Sequence, residues 1–312
     1  MYYPYLRGKQ FELLALRDFA DYYGETKLII PIIEPVKNSF NSMKLAIRKM
    51  HEKGIHFNLI LNPQCGDVQN ELDLILDSLG PDLADQACWT PAFIINNNYN
   101  DLLNIIKTKG YDKIMVLCKD GIQSDDMDFD KFIKHPFVET VLINPSHNSL
   151  RRKLSRLGIR NVVRLDDNFT PLQRNSDYVN IPEELFSDAY EYYTEEGYTG
   201  ISDYTILPST FIDGGRLPYA IAIHMTYEKT EDQIFVRHFV SDTNDDDSNI
   251  QGKFGEAAAK AVSFFKEKGL SNQAINELTA LYEEGRYPGL GIIKKISIKN
   301  HIELMFRILQ AN

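Results

Sequence analysis

Val141-Leu142-Ile143-Asn144-Pro145 is an apolar run that stops abruptly at a carboxamide followed by proline. The chain repeats the phrase at Leu59-Ile60-Leu61-Asn62-Pro63. A third version, Pro31-Ile32-Ile33-Glu34-Pro35, puts a carboxylate where the carboxamide stood. Proline cannot donate to a strand ladder and fixes its own φ. Just past an apolar run it ends pairing and sets the exit direction. Short apolar runs recur over 27–35, 57–63, 92–97, 113–118, 140–145, 161–167, 201–208 and 219–227. Their β-branched, nearly continuous hydrophobicity fits strands buried on both faces of a parallel sheet rather than half-solvated antiparallel strands.

Between these runs lie stretches with helical periodicity. Residues 38–54 open on Asn and Ser and stop at Gly54; 68–80, 100–110 and 147–158 likewise end on glycine. Such caps are helix punctuation. Recurring strand-then-helix units imply a parallel sheet wound by right-handed crossovers. Eight strand candidates are the number that a closed barrel requires. The rival is an open, doubly wound sheet, whose first turn is often glycine-rich; here the first run leads into EPVKNS instead. The expected fold is therefore α/β, a (β/α)8 TIM-like barrel with a β-hairpin near strand 8 and a helical C-terminal extension. The hairpin is read over 219–242, turning at EKTEDQ, and sequence leaves open which arm closes the barrel. The expected organisation is a barrel with an N-terminal rim segment over 1–250 and helices packed on it over 251–312. In the last helix Ile302, Leu304, Phe306 and Ile308 leave core packing and partner docking both open.

The chain has 312 residues, with 34 Lys and Arg against 44 Asp and Glu, a formal charge of −10. That balance argues against a general nucleic-acid coat, which needs clustered cations to neutralise phosphates, but permits a locally basic pocket. The first residues carry no apolar signal region and no run approaches the roughly 20 residues that span a bilayer. A cytoplasmic protein without a membrane segment is expected. Three cysteines, Cys65, Cys88 and Cys118, form no CxxC pair, which suits buried thiols in a reducing compartment.

In a (β/α)8 barrel the C-terminal strand ends converge on one rim, and catalytic groups come from several strands. Glu34, Asn62 and Asn144 would occupy equivalent rim positions. Asn97, Lys119-Asp120 and Asp166-Asp167 follow other strands at comparable places. The alternative reading of each Asn or Asp is an ordinary turn former or helix cap. The N-terminal stretch YPYLRGKQ, read as leading into a helix from about Lys9, would bring Tyr5, Arg7 and Lys9 to the same rim. Arg7 and Lys9 could then hold a phosphate or carboxylate; otherwise they are surface charges beside Glu12.

Asp203-Tyr204 interrupts an apolar run, and a buried carboxylate demands a cation or strong donor as partner. His224 and His238 could face each other across the hairpin and perform acid–base chemistry, or be satisfied structural histidines. The acidic run 241–249 lacks the glycine and terminal glutamate of an EF-hand and reads as a solvated loop. The sequence has no GxSxG, no GxxxxGK[ST] and no HExxH, and names no cofactor or metal.

The stretch Tyr2-x-Pro4-x-Leu6-Arg7-x-Lys9, PIIEP, the Asp203-Tyr204 pair, YAIAIHMTY and HFVSD together resemble the phage beta-protein family. They are most similar to its bacterial branch of roughly 300-residue proteins, often encoded beside a second small protein. The resemblance runs through most of the chain. It implies a barrel-like fold and a setting in phages, mobile elements or defence loci, without a reaction. Where the wider family ends its hairpin on Arg-Gly, this chain has Arg237-His238.

Two functions follow as expectations. One is a hydrolase acting on a phosphorylated or nucleotide-like substrate, or on a nucleic-acid ligand. In it Glu34, Asp203, His224 and His238 are catalytic, and Arg7, Lys9, Asn62, Asn144 and Tyr204 bind substrate. The other is a catalytically silent module that docks a nuclease-like partner, with an exposed apolar patch, for instance on the last helix, as its mark. Convergence of Glu34, Asp203 and Arg7 in an open pocket favours the first; scattering or sealing of the three favours the second. Oligomeric state is not legible.

Overall fold

The computed structural model describes residues 1–119, 122, 126–214, 218–230 and 232–311. In chain order the elements are β1 (Tyr2–Leu6), α1 (Gln10–Tyr23), β2 (Ile32–Ile33), α2 (Asn41–Glu52), β3 (Phe57–Ile60), α3 (Leu72–Leu79) and β4 (Trp89–Ile95). There follow α4 (Tyr99–Lys109), β5 (Ile114–Cys118), α5 (Met127–Ile133), β6 (Val138–Ile143), α6 (Asn148–Arg156) and β7 (Val162–Asp166). The remainder comprises β8 (Glu183–Ser187), α7 (Ala189–Tyr192), β9 (Gly200–Asp203), β10 (Ala222–Thr230), β11 (Gln233–Val240), α8 (Ile250–Lys268), α9 (Gln273–Glu283) and α10 (Leu290–Ala311).

Strands β1 to β7 and β9 close into an eight-stranded, all-parallel barrel. The fold is a (β/α)8 barrel, yet its strands are not all those expected. The N-terminal YYPYL, read as an approach to a helix, is the first strand and is buried throughout. Pro4 is the reason for the misreading, because proline ordinarily demotes a run; here it sits in register opposite Asp203. Neither hairpin arm closes the barrel. Gly200–Asp203 does so, pairing with β7 on one side and β1 on the other.

Register assigns the two faces of the wall. Tyr5 lies beside Ile32, and Ile32 beside Asn58, so these share a face with Glu34 two residues on. The Lys119 ammonium, just beyond β5, lies 5.6 Å from the Tyr5 ring. Strands β1 and β5 are not neighbours, so this contact crosses the barrel and identifies the shared face as the interior. Tyr2, Ile201 and Asp203 have the opposite parity and face outward. At the closing seam Gly200 leaves room for Tyr3, since a Cβ there would meet the Tyr3 ring at 2.7 Å.

The chain forms two compact units: residues 1–9, 23–167 and 189–203 in one, and 10–22, 168–188 and 204–312 in the other. Where the sequence reading drew one boundary after residue 250, the chain passes between units after residues 9, 22, 167, 188 and 203. The first unit holds the barrel strands. The second holds an antiparallel sheet in the order β10-β11-β8. Its core gathers Ile223, Met225 and Tyr227 of the hairpin with Phe254, Ala258 and Phe265 of α8, Leu278 of α9 and Ile296 of α10. The hairpin is the one expected, though its turn includes Glu231, which lies outside the described residues.

Helix α10 resolves the ambiguity of its pattern. From Ile293 to Phe306 nearly every residue is buried, polar ones included. Lys295 pairs with Asp18 at 2.6 Å and Glu277 at 2.5 Å, and Lys299 with Glu277 at 2.6 Å. Asn300 donates to the Thr226 carbonyl, and Glu303 accepts from the Ala274 N–H. A helix apolar or satisfied on all sides belongs to an interior, so its periodicity is blurred for a physical reason. The acidic run 241–249 is tied to α8: Lys260 pairs with Asp242, and Glu256 accepts from the N–H groups of Asp242 and Thr243. Among the described residues no helix is long and apolar enough to cross a membrane.

Candidate functional site

At the barrel mouth the Glu34 side chain is fully buried and engaged at both oxygens. Tyr5 donates its hydroxyl to Oε2 at 2.6 Å, and the Arg7 guanidinium lies 3.3 Å from the same oxygen. Oε1 accepts the Gln64 N–H at 2.9 Å. Arg7 Nη1 also donates to Cys65 Sγ at 3.0 Å. Burial and the Glu34 charge push the Cys65 thiol above its ordinary pKa, with Arg7 and Lys119 opposing them. Gln64 extends the network to Asn70 and Asn96. Tyr5, Arg7 and Glu34 thus meet at the mouth, and Asn144 bonds within its own turn. The result is a closed cluster in which the carboxylate's charge is already matched.

Asp203 does not join it. Facing outward, it accepts the Tyr2 hydroxyl at 2.6 Å, the donor that its burial called for. Its register partner Asp166 lies 2.7 Å from Arg164, which also bonds Glu196 at 2.5 Å. Burial, with Asp203 adding to it, raises the Asp166 carboxyl above its usual range despite Arg164. Glu34 and Arg7 therefore converge but are sealed, and Asp203 lies on the other side of the wall, because alternate residues of one strand point to opposite faces.

The two asparagines bond close to their own strand ends. Asn62 accepts the Ile94 N–H at 2.9 Å and donates to the Ile94 carbonyl at 2.7 Å, knitting β3 to β4 just past their ladder. Asn144 accepts from Ser146 N–H and Oγ–H at 2.9 and 2.7 Å, an Asx turn. Both ends of the Asn62 amide are thus engaged, and Oδ1 of Asn144. Lys9 is half-buried immediately before α1, and Tyr204 is buried just past β9. Asp120, nominated beside Lys119, lies outside the described residues.

The second constellation lies within the other unit. His224 and His238 are direct cross-strand partners, with Nδ1 of each 2.7 Å apart. His238 Nε2 lies 3.3 Å from Glu184 Oε1 on the adjacent strand, and Thr170 donates to Glu184 Oε2 at 3.2 Å. Phe169 and Tyr178 enclose the two imidazoles, with ring centroids at 4.5–6.3 Å. His224 lines a cavity of about 960 Å³ together with Phe169, Arg174, Asn175, Tyr178, Tyr219 and Lys294. Burial, then the neighbouring His238 and Lys294, drives the His224 pKa down to about 3. The His238 pKa is lowered by burial and partly restored by Glu184. His224 is thus a neutral imidazole at physiological pH.

Sequence reasoning found the histidine pair because the hairpin register could be read from its turn. It missed Glu184, Arg174 and Lys294. Glu184 sits on a short third strand outside every run read as a strand, and Lys294 on a helix of blurred pattern, so neither carried a local signal. Among the described residues no group of three or more His, Cys, Asp or Glu is gathered as a metal site would require. In comparison with known proteins, the chain matches no family model, no curated protein and no solved structure at a significant level.

Proposed function

We propose that the protein is a hydrolase that takes a phosphorylated, nucleotide-like substrate into the cavity beside His224. The observation that carries this reading is the contact between the two Nδ1 atoms, which commits one nitrogen of His224, a residue that lines the cavity, and leaves the other without a hydrogen-bond partner among the described residues. A neutral imidazole can accept a proton, and the low basicity that burial gives His224 would be offset by passing charge to His238 beside Glu184. Phe169, Tyr178 and Tyr219 offer apolar and aromatic surface for a planar group, while Arg174 and Lys294 supply positive charge for phosphoryl oxygens. In the proposed step water loses a proton to His224 as its oxygen attacks phosphorus. The bond from phosphorus to the leaving oxygen breaks, and the imidazolium returns the proton to that oxygen. Fixed cations beside the phosphoryl group stabilise the charge that develops.

The test is turnover of a panel of nucleotides, phosphomonoesters and nucleic acids, with and without divalent metal. Histidine at 224 replaced by asparagine is expected to lower kcat by about 10²- to 10⁴-fold, the range for a general base. Full turnover by His224→Asn would overturn the assignment. Glu34→Gln and Asp203→Asn serve as controls, because this reading gives neither carboxylate a chemical role.

The sealing of Glu34 and the outward turn of Asp203 favour a second reading. In it the barrel is a silent module that docks a nuclease-like partner encoded nearby, in the phage or defence setting that the resemblance implies. The apolar patch sought on the last helix does not support it, since α10 is buried. Absence of turnover across the panel, with tight capture of the neighbour-encoded protein, would favour the module.

A further inference from the structure

Two neutral imidazoles joined through their Nδ1 atoms share one proton, and geometry alone does not say which ring owns it. The third member of the row decides. If His238 carried the proton on Nδ1, its Nε2 would present a bare lone pair to Glu184 Oε1 at 3.3 Å, two acceptors face to face. If His238 carries it on Nε2, that N–H donates to the carboxylate and His238 Nδ1 becomes the acceptor. His224 must then hold its own proton on Nδ1 and donate it to His238 across 2.7 Å. Its Nε2 is left as a lone pair, without a hydrogen-bond partner among the described residues, on a side chain that lines the cavity.

We infer that Glu184 is a positioning residue that sets both tautomers, so that His224 meets the cavity as a proton acceptor. The inference deepens the hydrolase reading and rests on it for its catalytic consequence; the tautomers themselves do not depend on turnover. Once His224 Nε2 takes a proton, its Nδ1 proton can pass to His238 Nδ1. The positive charge then rests on His238, whose Nε2–H faces Glu184. Three groups in a row thereby move the charge away from Lys294, which lines the cavity with His224, and towards a carboxylate. Thr170 holds the other oxygen of that carboxylate and so fixes its plane. Orientation of a base by a third group is the logic of the serine-protease triad; a second imidazole is interposed here.

The experiment is long-range proton–nitrogen NMR on the full chain, selectively labelled with nitrogen-15 histidine, at neutral pH and without ligand. Signals are assigned by the loss of one set in His224→Gln. The expected spectrum has His224 protonated on Nδ1 with a bare Nε2, and His238 the reverse. Glu184→Ala should give both rings mixed tautomers. Glu184→Gln, whose amide oxygen can still accept from His238, should keep the wild-type pattern. A wild-type His224 protonated on Nε2 overturns the inference with no variant needed. So does an unchanged pattern in folded Glu184→Ala. Where the panel yields a substrate, Glu184→Ala should lower kcat by on the order of 10²-fold or more with KM little changed. Absence of any substrate would sink the hydrolase reading and leave the tautomers as measured.

Discussion

A single glutamate shows how burial converts into a measurable slope. Glu303 is buried on α10, accepts the Ala274 N–H at 3.0 Å through Oε2, and has no hydrogen-bond partner for Oε1 among the described residues. Burial raises its pKa from 4.5 to about 7. The folded state then keeps a proton that the unfolded state releases above 4.5. The group's contribution is therefore full at pH 4 and lost as pH rises through about 7. Glu303→Gln can still accept from Ala274 but carries no charge. It should stabilise the protein by roughly 1–3 kcal/mol at pH 8 and leave it unchanged at pH 4. Urea unfolding at the two pH values checks this, and equal effects at both would refute the charge argument. At this scale the sequence was informative about residue type and poor on partners. The need of Asp203 for a donor was legible; that the donor is Tyr2, on the first strand, was not, because register decides it.

Strands and helices were more legible than the side chains they carry. The proline-terminated runs predicted where β2, β3 and β6 stop, since that signal is local chemistry. They did not predict that Asn62 would clamp the backbone of the next strand. Its amide satisfies one N–H and one carbonyl of buried Ile94. Asn62→Ala leaves that N–H without its acceptor, and the carbonyl with only the Asn98 amide at 3.4 Å, and should cost roughly 1–3 kcal/mol, the range for an unsatisfied buried group. Asn144→Ala, which only loosens an exposed turn, should cost under about 1 kcal/mol. Equal Tm losses in the two variants would contradict this distinction. YYPYL was missed because proline inside a run argues against a strand. Strand β8 was missed because EELFS is short and lacks the strict apolar–polar alternation by which a half-buried strand is read.

Across the whole molecule the chain is shared between its units rather than cut at one point. The eight barrel strands all lie before residue 204, so a fragment 1–203 invites expression as a self-sufficient barrel. It also contains 10–22 and 168–188, which belong to the other unit. Asp18 would lose Lys295, Phe19 would lose the ring of Phe306 at 5.6 Å, and β8 would lose β11. The fragment should expose these apolar and charged surfaces and unfold without a cooperative transition, as read by circular dichroism and calorimetry. A sharp transition matching that of the full chain would show that the interleaved segments are dispensable. Sequence periodicity sees contiguous segments, so this interleaving was invisible to it.

The seam between β1 and β9 carries one more implication, for the order in which the protein comes into being. Tyr3 and Ser202 are register partners almost 200 positions apart, so during synthesis β1 has only β2 beside it until β9 has emerged. Pairings of such long range are slow to form and leave an unsatisfied edge exposed meanwhile. The first stave of the barrel to be made thus waits for the last one before it gains its second neighbour, and a chaperone's moment of greatest use falls before Gly200 appears.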